Sequence, residues 1–222
     1  MKTLWKTLGL KFDFQGQEHL PDTSHGGAVL AMNHISYLDF ALVGTAALPM
    51  KRYVRFMAKK EIFNNKFAGP LMRGMHHISV DRSNGSASLV AALRALRDGE
   101  IIGIFPEGTI SVSFEIKELK SGAVRLAQGA GVPVIPTIIW GSQRLWTKKV
   151  KRNLMQRGVP ITVVFGEPIY FEKGSDVEAG EAILRDAMVK MLHEVQEKYP
   201  DSHQGQRWAP VRLGGTAPAP LN

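Results

Sequence analysis

The sequence predicts a single α/β domain in which helices flank a mostly parallel or mixed central sheet of about six or seven strands. Short apolar runs of strand length recur along the chain and alternate with segments of helical periodicity. The 222 residues are enough for one domain with a sizeable core. A hydrophobic content of 44% and a charged content of 22% are typical of a globular protein.

The predicted elements follow from where apolar runs begin and end. The strand candidates are residues 28–32, 53–57, 77–80, 101–105, 134–139 and 161–165. The helix candidates are residues 40–48, 86–97 and 176–199, and a further helix is expected to open at Ser121. Residues 1–199 should form the folded domain, with 1–24 as a short lead-in. Residues 200–222 are rich in Gly and Pro, which is typical of an irregular tail.

Composition excludes several kinds of chemistry. The chain has no cysteine, so disulfides, a thiol nucleophile and thiolate metal sites are excluded. It contains neither a Gly-x-Ser-x-Gly nucleophile elbow nor a Walker-type phosphate loop. We expect neither a metal nor a cofactor. No apolar run approaches the roughly 18 residues that a membrane-spanning helix needs, so none is predicted.

The net charge of +8 indicates an anionic partner, such as a phospholipid surface, coenzyme A or nucleic acid. Residues 144–157 contain basic side chains and no acid, interleaved with Leu, Trp and Met. This pattern fits a segment lying on anionic lipid and fits a solvated basic loop equally well. A smaller version at the N-terminus suggests interfacial contact there; it consists of Lys2, Trp5, Lys6, Leu8 and Lys11. Nucleic-acid binding has only the charge in its favour, since no recognition motif is present.

The stretch Asn33-His34-Ile35-Ser36-Tyr37-Leu38-Asp39 follows the first predicted strand. A histidine oriented by a carboxylate is the minimal apparatus for taking a proton from a hydroxyl. Residues five apart on one helix point about 140° away from each other, so His34 and Asp39 can meet only if the helix starts between them. The same residues also fit a capping box of Ser36 and Asp39, which would leave His34 as an ordinary loop histidine.

A second motif, Phe105-Pro106-Glu107-Gly108-Thr109, follows the strand predicted at 101–105. Pro106 ends the strand, and Gly108 allows a sharp turn or the close approach of a ligand. Glu107 would then lie at a strand end, beside a cleft of a sheet-based fold. A plain turn from strand to loop explains the same residues.

Three basic residues are candidates for holding a phosphate. Arg82 ends a short predicted strand, where its planar guanidinium could bind an anion. Lys120 stands just before the helix that opens at Ser121, and a helix N-terminus favours anions. Lys59 belongs to a Lys pair after another strand. Taken singly, such a residue is more often a solvated surface charge.

Taken in order, these segments resemble the glycerolipid acyltransferase family, in particular the bacterial lysophosphatidate acyltransferases. The matching motifs are Asn33-His34-x-Ser36-x-x-Asp39, Ala58-Lys59-x-Glu61-Ile62-Phe63, Val80-Asp81-Arg82, Phe105-Pro106-Glu107-Gly108-Thr109-x-Ser111, Lys120-x-Gly122-Ala123 and Val132-Pro133-Val134-Ile135-Pro136. They cover nearly half of the chain, and together they are far more specific than any one of them.

The resemblance implies transfer of a fatty acyl group from acyl-CoA or acyl-carrier protein to the free hydroxyl of lysophosphatidate, giving phosphatidic acid. In that scheme His34 is the general base and Asp39 orients it. The implied acceptor-site residues are Asn33, Glu107, Gly108 and Thr109, and the implied phosphate ligands are Lys59, Arg82 and Lys120. The developing oxyanion needs backbone donors, which we expect from the loop around residues 132–135.

One departure from the family keeps the acceptor open. Arg commonly follows Glu-Gly-Thr in the family, whereas this chain has Ile110. Glycerol 3-phosphate or a glycolipid is therefore an alternative acceptor, and a non-catalytic basic lipid-binding module is an alternative of another class. Because no signal peptide is recognised, we expect a cytoplasmic protein that is peripheral on the inner face of the cell membrane. The oligomeric state is not predicted.

Overall fold

The central sheet positions the residues of the candidate site. The computed structural model describes residues 2–22, 26–81 and 85–219. Within these ranges, seven strands form one sheet in the order β1-β7-β6-β2-β5-β3-β4. The strands are β1 Lys11–Gln15, β2 Ala28–Met32, β3 Val54–Lys59, β4 Ile78–Val80, β5 Ile101–Ile104, β6 Val134–Trp140 and β7 Pro160–Phe165. The helices are α1 Lys2–Thr7, α2 Asp39–Ala47, α3 Lys60–Phe63, α4 Ala68–Gly74, α5 Gly85–Arg97, α6 Gly122–Ala130 and α7 Val177–Glu197.

Burial of the central strands matches their sequences. Every residue of β2, β5 and β6 is buried, as expected for near-continuous apolar strands that helices cover on both faces. The predicted single α/β domain with a mixed sheet is confirmed. All six predicted strands are present, with ends that differ by one or two residues.

Strand direction brings several strand ends to one edge of the sheet. Strands β6, β2, β5, β3 and β4 run parallel to one another, β7 pairs with β6 in the antiparallel direction, and β1 is parallel to β7. The carboxyl ends of β2, β3, β5 and β6 therefore lie along one side, which we name the carboxyl edge. The connection 141–159 starts at the end of β6 and returns to the start of β7, so both its ends lie at this edge.

The N-terminal segment differs from the prediction. Residues 11–15 form β1, an edge strand that pairs in parallel with β7 and that the sequence reading missed. Trp5 and Leu8 are buried in the core, and the indole Nε1 of Trp5 donates to Thr45 Oγ1 at 3.1 Å. These two apolar side chains are therefore not available for the interfacial contact that the pattern suggested.

Two further observations concern the rest of the chain. Over the ranges that the structure describes, no helix is both long and apolar enough to cross a membrane. Residues 200–219 are irregular apart from one short 3-10 turn at Val211–Leu213. Ala209 and Ala217 of this segment are nonetheless buried against the domain.

Candidate active site

His34 and Asp39 meet at the carboxyl edge. His34 lies two residues beyond β2, and Asp39 is the first residue of α2, so the helix starts between them as the spacing required. The distance from His34 Nδ1 to Asp39 Oδ2 is 3.0 Å. A carboxylate can only accept, so Nδ1 carries the proton and Nε2 keeps a free lone pair. The imidazole stacks on Phe105 at 4.0 Å between ring centroids, and its side chain is 20% exposed.

The Asp39 carboxylate is completely buried and fully bonded. Besides His34, its Oδ2 accepts the backbone N–H groups of Ile35 and Ser36 at 2.8 Å each. Its Oδ1 accepts the hydroxyl of Ser142 at 2.6 Å. Because a buried charge without such partners would be costly, this network holds the carboxylate in one orientation toward the imidazole.

The capping interpretation is partly correct and does not compete with the catalytic one. Asp39 accepts the Ser36 N–H, which is one half of a capping box. The Ser36 hydroxyl does not complete the box: it donates to the Trp146 carbonyl at 2.6 Å and accepts the Leu38 N–H at 3.1 Å. The segment after β6 therefore clamps the loop that carries His34. A second clamp is the hydroxyl of Thr147, which donates to the Ile35 carbonyl at 2.6 Å.

The Glu107 side chain holds the backbone of His34. Its Oε1 accepts the His34 backbone N–H at 2.8 Å, and its Oε2 accepts the Lys117 N–H at 3.3 Å. Burial raises the pKa of this carboxyl to about 7, and the two backbone N–H groups reduce the effect. Both oxygens hold backbone N–H groups inside the protein, and a contact of Glu107 with the acceptor stays a prediction.

Asn33 also has a structural task. Its side chain is 1% exposed. The amide donates to the Ile139 carbonyl at 3.0 Å and accepts the Ile139 N–H at 2.8 Å. It thereby extends the pairing of β2 with β6 beyond the end of β2. The structure thus gives Asn33 a role in the sheet, and its expected substrate contact stays a prediction.

The turn at Gly108 and Thr109 lies close to two ammonium groups. Gly108 has a φ of +71°, a left-handed conformation that favours glycine. A Cβ built on Gly108 would come within 3.3 Å of Lys120 Nζ, so that side chain lies against the turn. Lys148 Nζ lies 3.5 Å from Thr109 Oγ1. Lys148 was missed as a site residue, and only its place in the basic segment pointed to it.

Of the remaining residues singled out in the sequence, the structure describes Lys59 and Ile110. Lys59 is exposed as the last residue of β3 at the carboxyl edge. Arg82 lies outside the described residues. Ile110, where the family commonly has Arg, is buried with its side chain inside the domain.

The expected source of oxyanion donors is contradicted. Val134 is the first residue of β6 and pairs with Val29 near the start of β2, so residues 132–135 lie at the opposite edge from His34. The Val134 N–H is already bonded to the Ile169 carbonyl at 2.8 Å. The motif was therefore correctly recognised but given the wrong role, because its strand direction was not known.

An apolar cavity of about 490 Å³ lies between α2 and β3. Its wall includes Phe40, which directly follows Asp39, and Phe56, whose ring lies 6.4 Å from that of Phe105. His77 also lines it; burial lowers the pKa of this histidine to about 4, so its ring is neutral near pH 7. Its Nδ1 accepts the Phe56 N–H at 3.1 Å. The cavity is lined mostly by apolar side chains and runs along α2 from Phe40, the residue after Asp39, to Leu48. No sequence pattern indicated it.

Comparison with known proteins agrees with this geometry. The model of the acyltransferase family matches residues 11–140. A 1-acyl-sn-glycerol-3-phosphate acyltransferase of Bacillus subtilis is 32% identical over 185 residues, which cover 82% of this chain and 86% of that protein. One of Borreliella burgdorferi is 26% identical over 200 residues, covering 87% of this chain and 76% of the relative.

The fold itself has a solved counterpart. The crystal structure of a 1-acyl-sn-glycerophosphate acyltransferase from Thermotoga maritima superposes with a TM-score of 0.74 at 22% identity, covering 90% of this chain and 78% of that one. From the family match and the bacterial relatives together, the chain belongs to the acyltransferase family and is an O-acyltransferase.

Proposed function

We propose that the protein transfers a fatty acyl group from an acyl thioester, acyl-CoA or acyl-carrier protein, to the free hydroxyl of 1-acyl-sn-glycerol 3-phosphate. The product would be phosphatidic acid, as in phospholipid synthesis. The observation that carries this proposal is the imidazole of His34 oriented by a buried, fully bonded Asp39 at the carboxyl edge. Relatives named for this reaction support the choice of acceptor.

The chemistry is a direct transfer. Nε2 of His34 takes the proton of the acceptor hydroxyl while that oxygen attacks the thioester carbonyl carbon. The C–S bond breaks as the tetrahedral intermediate collapses, and the imidazolium returns the proton to the departing thiolate. Asp39 stabilises the imidazolium and keeps the ring in the required tautomer. No cofactor or metal enters the scheme.

The apolar cavity is the proposed place for an acyl chain. Its 490 Å³ falls in the range of about 300–1,000 Å³ that small-molecule pockets occupy. Phe40 and Phe56 bring its wall close to the catalytic imidazole. A chain lying there would keep a thioester carbonyl near His34.

Lys120 and Lys148 are the proposed phosphate ligands, since both lie close to the turn at Gly108 and Thr109. Lys148 supplies the positive charge that Ile110 does not. Lys59 and Arg82 are proposed to add to the positive charge that attracts the phosphate. An ammonium group binds phosphate as a point charge, so the site tolerates some variation in headgroup position.

We propose further that the protein works as a peripheral enzyme on the anionic inner face of the cell membrane, where its acceptor resides. The connection 141–159 supports this, because it starts at the carboxyl edge and exposes the cations Lys148, Lys149, Lys151 and Arg152. Nucleic acid is not a proposed partner.

The test is a donor and acceptor panel with products identified by mass. Palmitoyl-CoA and palmitoyl-carrier protein would each be offered with lysophosphatidate, glycerol 3-phosphate and monoacylglycerol. We expect phosphatidic acid from lysophosphatidate as the dominant product. A dominant product from glycerol 3-phosphate or another acceptor would overturn the acceptor assignment, and it would favour the alternative that Ile110 leaves open. Absence of any transfer would overturn the enzymatic proposal.

A further inference from the structure

Two segments at the carboxyl edge expose large apolar side chains among basic ones. The first is the α3–α4 hairpin, residues 60–74, which follows β3 directly. The second is the basic loop, residues 149–155, within the connection from β6 to β7. Because β2 and β5 stand between β6 and β3 in the sheet, the His34–Asp39 site opens between the two segments.

The α3–α4 hairpin presents an apolar surface to solvent. Phe67 is 91% exposed, Leu71 is 59% exposed and Ile62 is 40% exposed. Phe67 and Leu71 are four residues apart, which places them on one side of α4. Single exposed apolar residues are ordinary, but a cluster of large ones on one short element marks an interaction site.

Hydrogen bonds and close packing hold this surface in place. Asn65 Oδ1 accepts the backbone N–H groups of Phe67 and Ala68 at 3.0 Å each, which caps the start of α4. A Cβ built on Gly69 would lie 2.2 Å from the Phe63 carbonyl oxygen, so α4 packs directly on the backbone of α3. The exposure of Phe67 is therefore a property of an ordered hairpin.

The basic loop also exposes apolar side chains among cations. Met155 is 74% exposed and Val150 is 42% exposed. The exposed cations of this loop are Lys149, Lys151 and Arg152. With no acid in the segment, the loop presents positive charge around two apolar side chains.

We propose that the α3–α4 hairpin and the basic loop form a two-part face that docks on an anionic phospholipid bilayer. The inference rests on the proposed function, because the acceptor is itself a bilayer lipid. Phe67, Leu71 and Met155 enter the headgroup region, and the neighbouring cations bind lipid phosphates. A bilayer fits better than a protein partner, because cations outnumber acids beside the apolar side chains on both sides of a lipid-handling site. The hairpin has Lys60, Lys66 and Arg73 against Glu61, and the basic loop has no acid. Docking there presents the site opening to the membrane.

The test compares matched variants on vesicles. Flotation would use vesicles of phosphatidylcholine with and without phosphatidylglycerol. The hairpin variant carries Phe67→Ser and Leu71→Ser. The control variant carries Val90→Ser and Ile183→Ser, which are 56% and 55% exposed on α5 and α7. We expect the wild type and the control to bind anionic vesicles equally, and the hairpin variant to bind about tenfold or more weakly.

The basic loop is tested by a second variant that carries Lys149→Glu and Lys151→Glu. It should lose the preference for vesicles that contain phosphatidylglycerol, and added salt should weaken wild-type binding in the same direction. Unchanged preference in this variant would overturn the role of the loop.

The outcomes separate docking from catalysis. Transfer between a water-soluble short-chain thioester and a short-chain acceptor should proceed at the wild-type rate in the hairpin variant. Equal vesicle binding by the wild type and the hairpin variant would overturn the docking face. A change in oligomeric state on size exclusion would assign the hairpin to a second copy of the chain and overturn it as well. Failure of the wild type with soluble substrates would instead overturn the proposed function.

Discussion

The buried Glu107 makes the stability of the protein depend on pH. Its pKa is raised from 4.5 to about 7 by burial, so ionisation of this carboxyl opposes folding. Between these two values the folded protein binds more protons than the unfolded chain, and stability therefore falls as the pH rises from about 4.5 through about 7. Glu107→Gln cannot ionise. It should gain up to about 3 kcal/mol over the wild type between about pH 5 and pH 8.

Urea unfolding of the wild type and Glu107→Gln at the two pH values measures this difference. If the free energy of unfolding changed with pH by the same amount in both proteins, ionisation of Glu107 would not oppose folding. The glutamine keeps an acceptor for the His34 N–H, so the variant should fold.

Lys148 is expected to contribute to binding of the phosphorylated acceptor and not to binding of the thioester. Lys148→Ala should raise the KM for a phosphorylated acceptor about tenfold, since a charged hydrogen bond to phosphate is lost, and should leave the KM for the thioester unchanged. Lys190→Ala, an exposed lysine on α7, is the matched control. Steady-state kinetics with soluble short-chain substrates separates the two constants. An equal rise in both KM values would argue against a phosphate contact.

For single residues, the sequence predicted the His34–Asp39 pair but not the hydrogen bonds that hold Asp39 in place. His34 and Asp39 are five residues apart, so local spacing decided whether they could meet. Ser142 bonds the same carboxylate from 103 residues away, and no local pattern reports such a partner. Glu107 was correctly placed near the site, but the direction of its side chain depends on packing between β2 and β5.

Among the elements, helix α2 connects the catalytic pair to the cavity. Gly44 lies on its cavity-facing side, where an added Cβ would meet only Phe56 Cε2, at 3.8 Å. Gly44→Leu should therefore fill part of the cavity. We expect kcat/KM for a palmitoyl thioester to fall about tenfold or more, and that for an octanoyl thioester to stay near the wild-type value.

Gly44→Ala is the control for this prediction. Its single methyl group fits the space, and replacing a helical glycine should stabilise the protein by about 0.5–1 kcal/mol. If Gly44→Leu lowered the rates with both donors equally, the cavity would not be the acyl-chain site.

Most elements could be read from the sequence because buried strands are continuous apolar runs. The strand β1 was missed for a physical reason: it is a five-residue edge strand whose Phe12 and Phe14 are only half-buried among polar residues. Strand direction is not encoded locally either. That is why the segment 132–135 was assigned to the active site although it begins β6 at the other edge.

For the molecule as a whole, Arg144 joins the domain to the segment after residue 200. Its guanidinium donates to Asp201 Oδ2 at 2.5 Å and to the Tyr199 hydroxyl at 3.0 Å, and it lies 4.6 Å from the ring centroid of Trp208. The sequence grouped Arg144 with the interfacial cations, but its side chain is only 11% exposed. Pairing with residues far along the chain explains the difference.

Arg144→Ala should lower the free energy of unfolding by about 1–3 kcal/mol, because it removes the charged hydrogen bonds to Asp201 and Tyr199 and the contact with the Trp208 ring. Arg185→Ala, an exposed arginine on α7, should change it by less than about 0.5 kcal/mol. Chemical denaturation of both variants measures the difference. Similar small losses in the two would mean that the irregular segment contributes little to stability.

The account depends on one imidazole acting as a base, and the rate of acyl transfer by His34→Ala tests it most directly. Because the side chain is partly exposed and its backbone is held by Glu107, the variant should keep the thermal unfolding midpoint of the wild type. We predict that kcat for transfer to lysophosphatidate falls by about two to four orders of magnitude. Transfer by His34→Ala at the wild-type rate would contradict the mechanism.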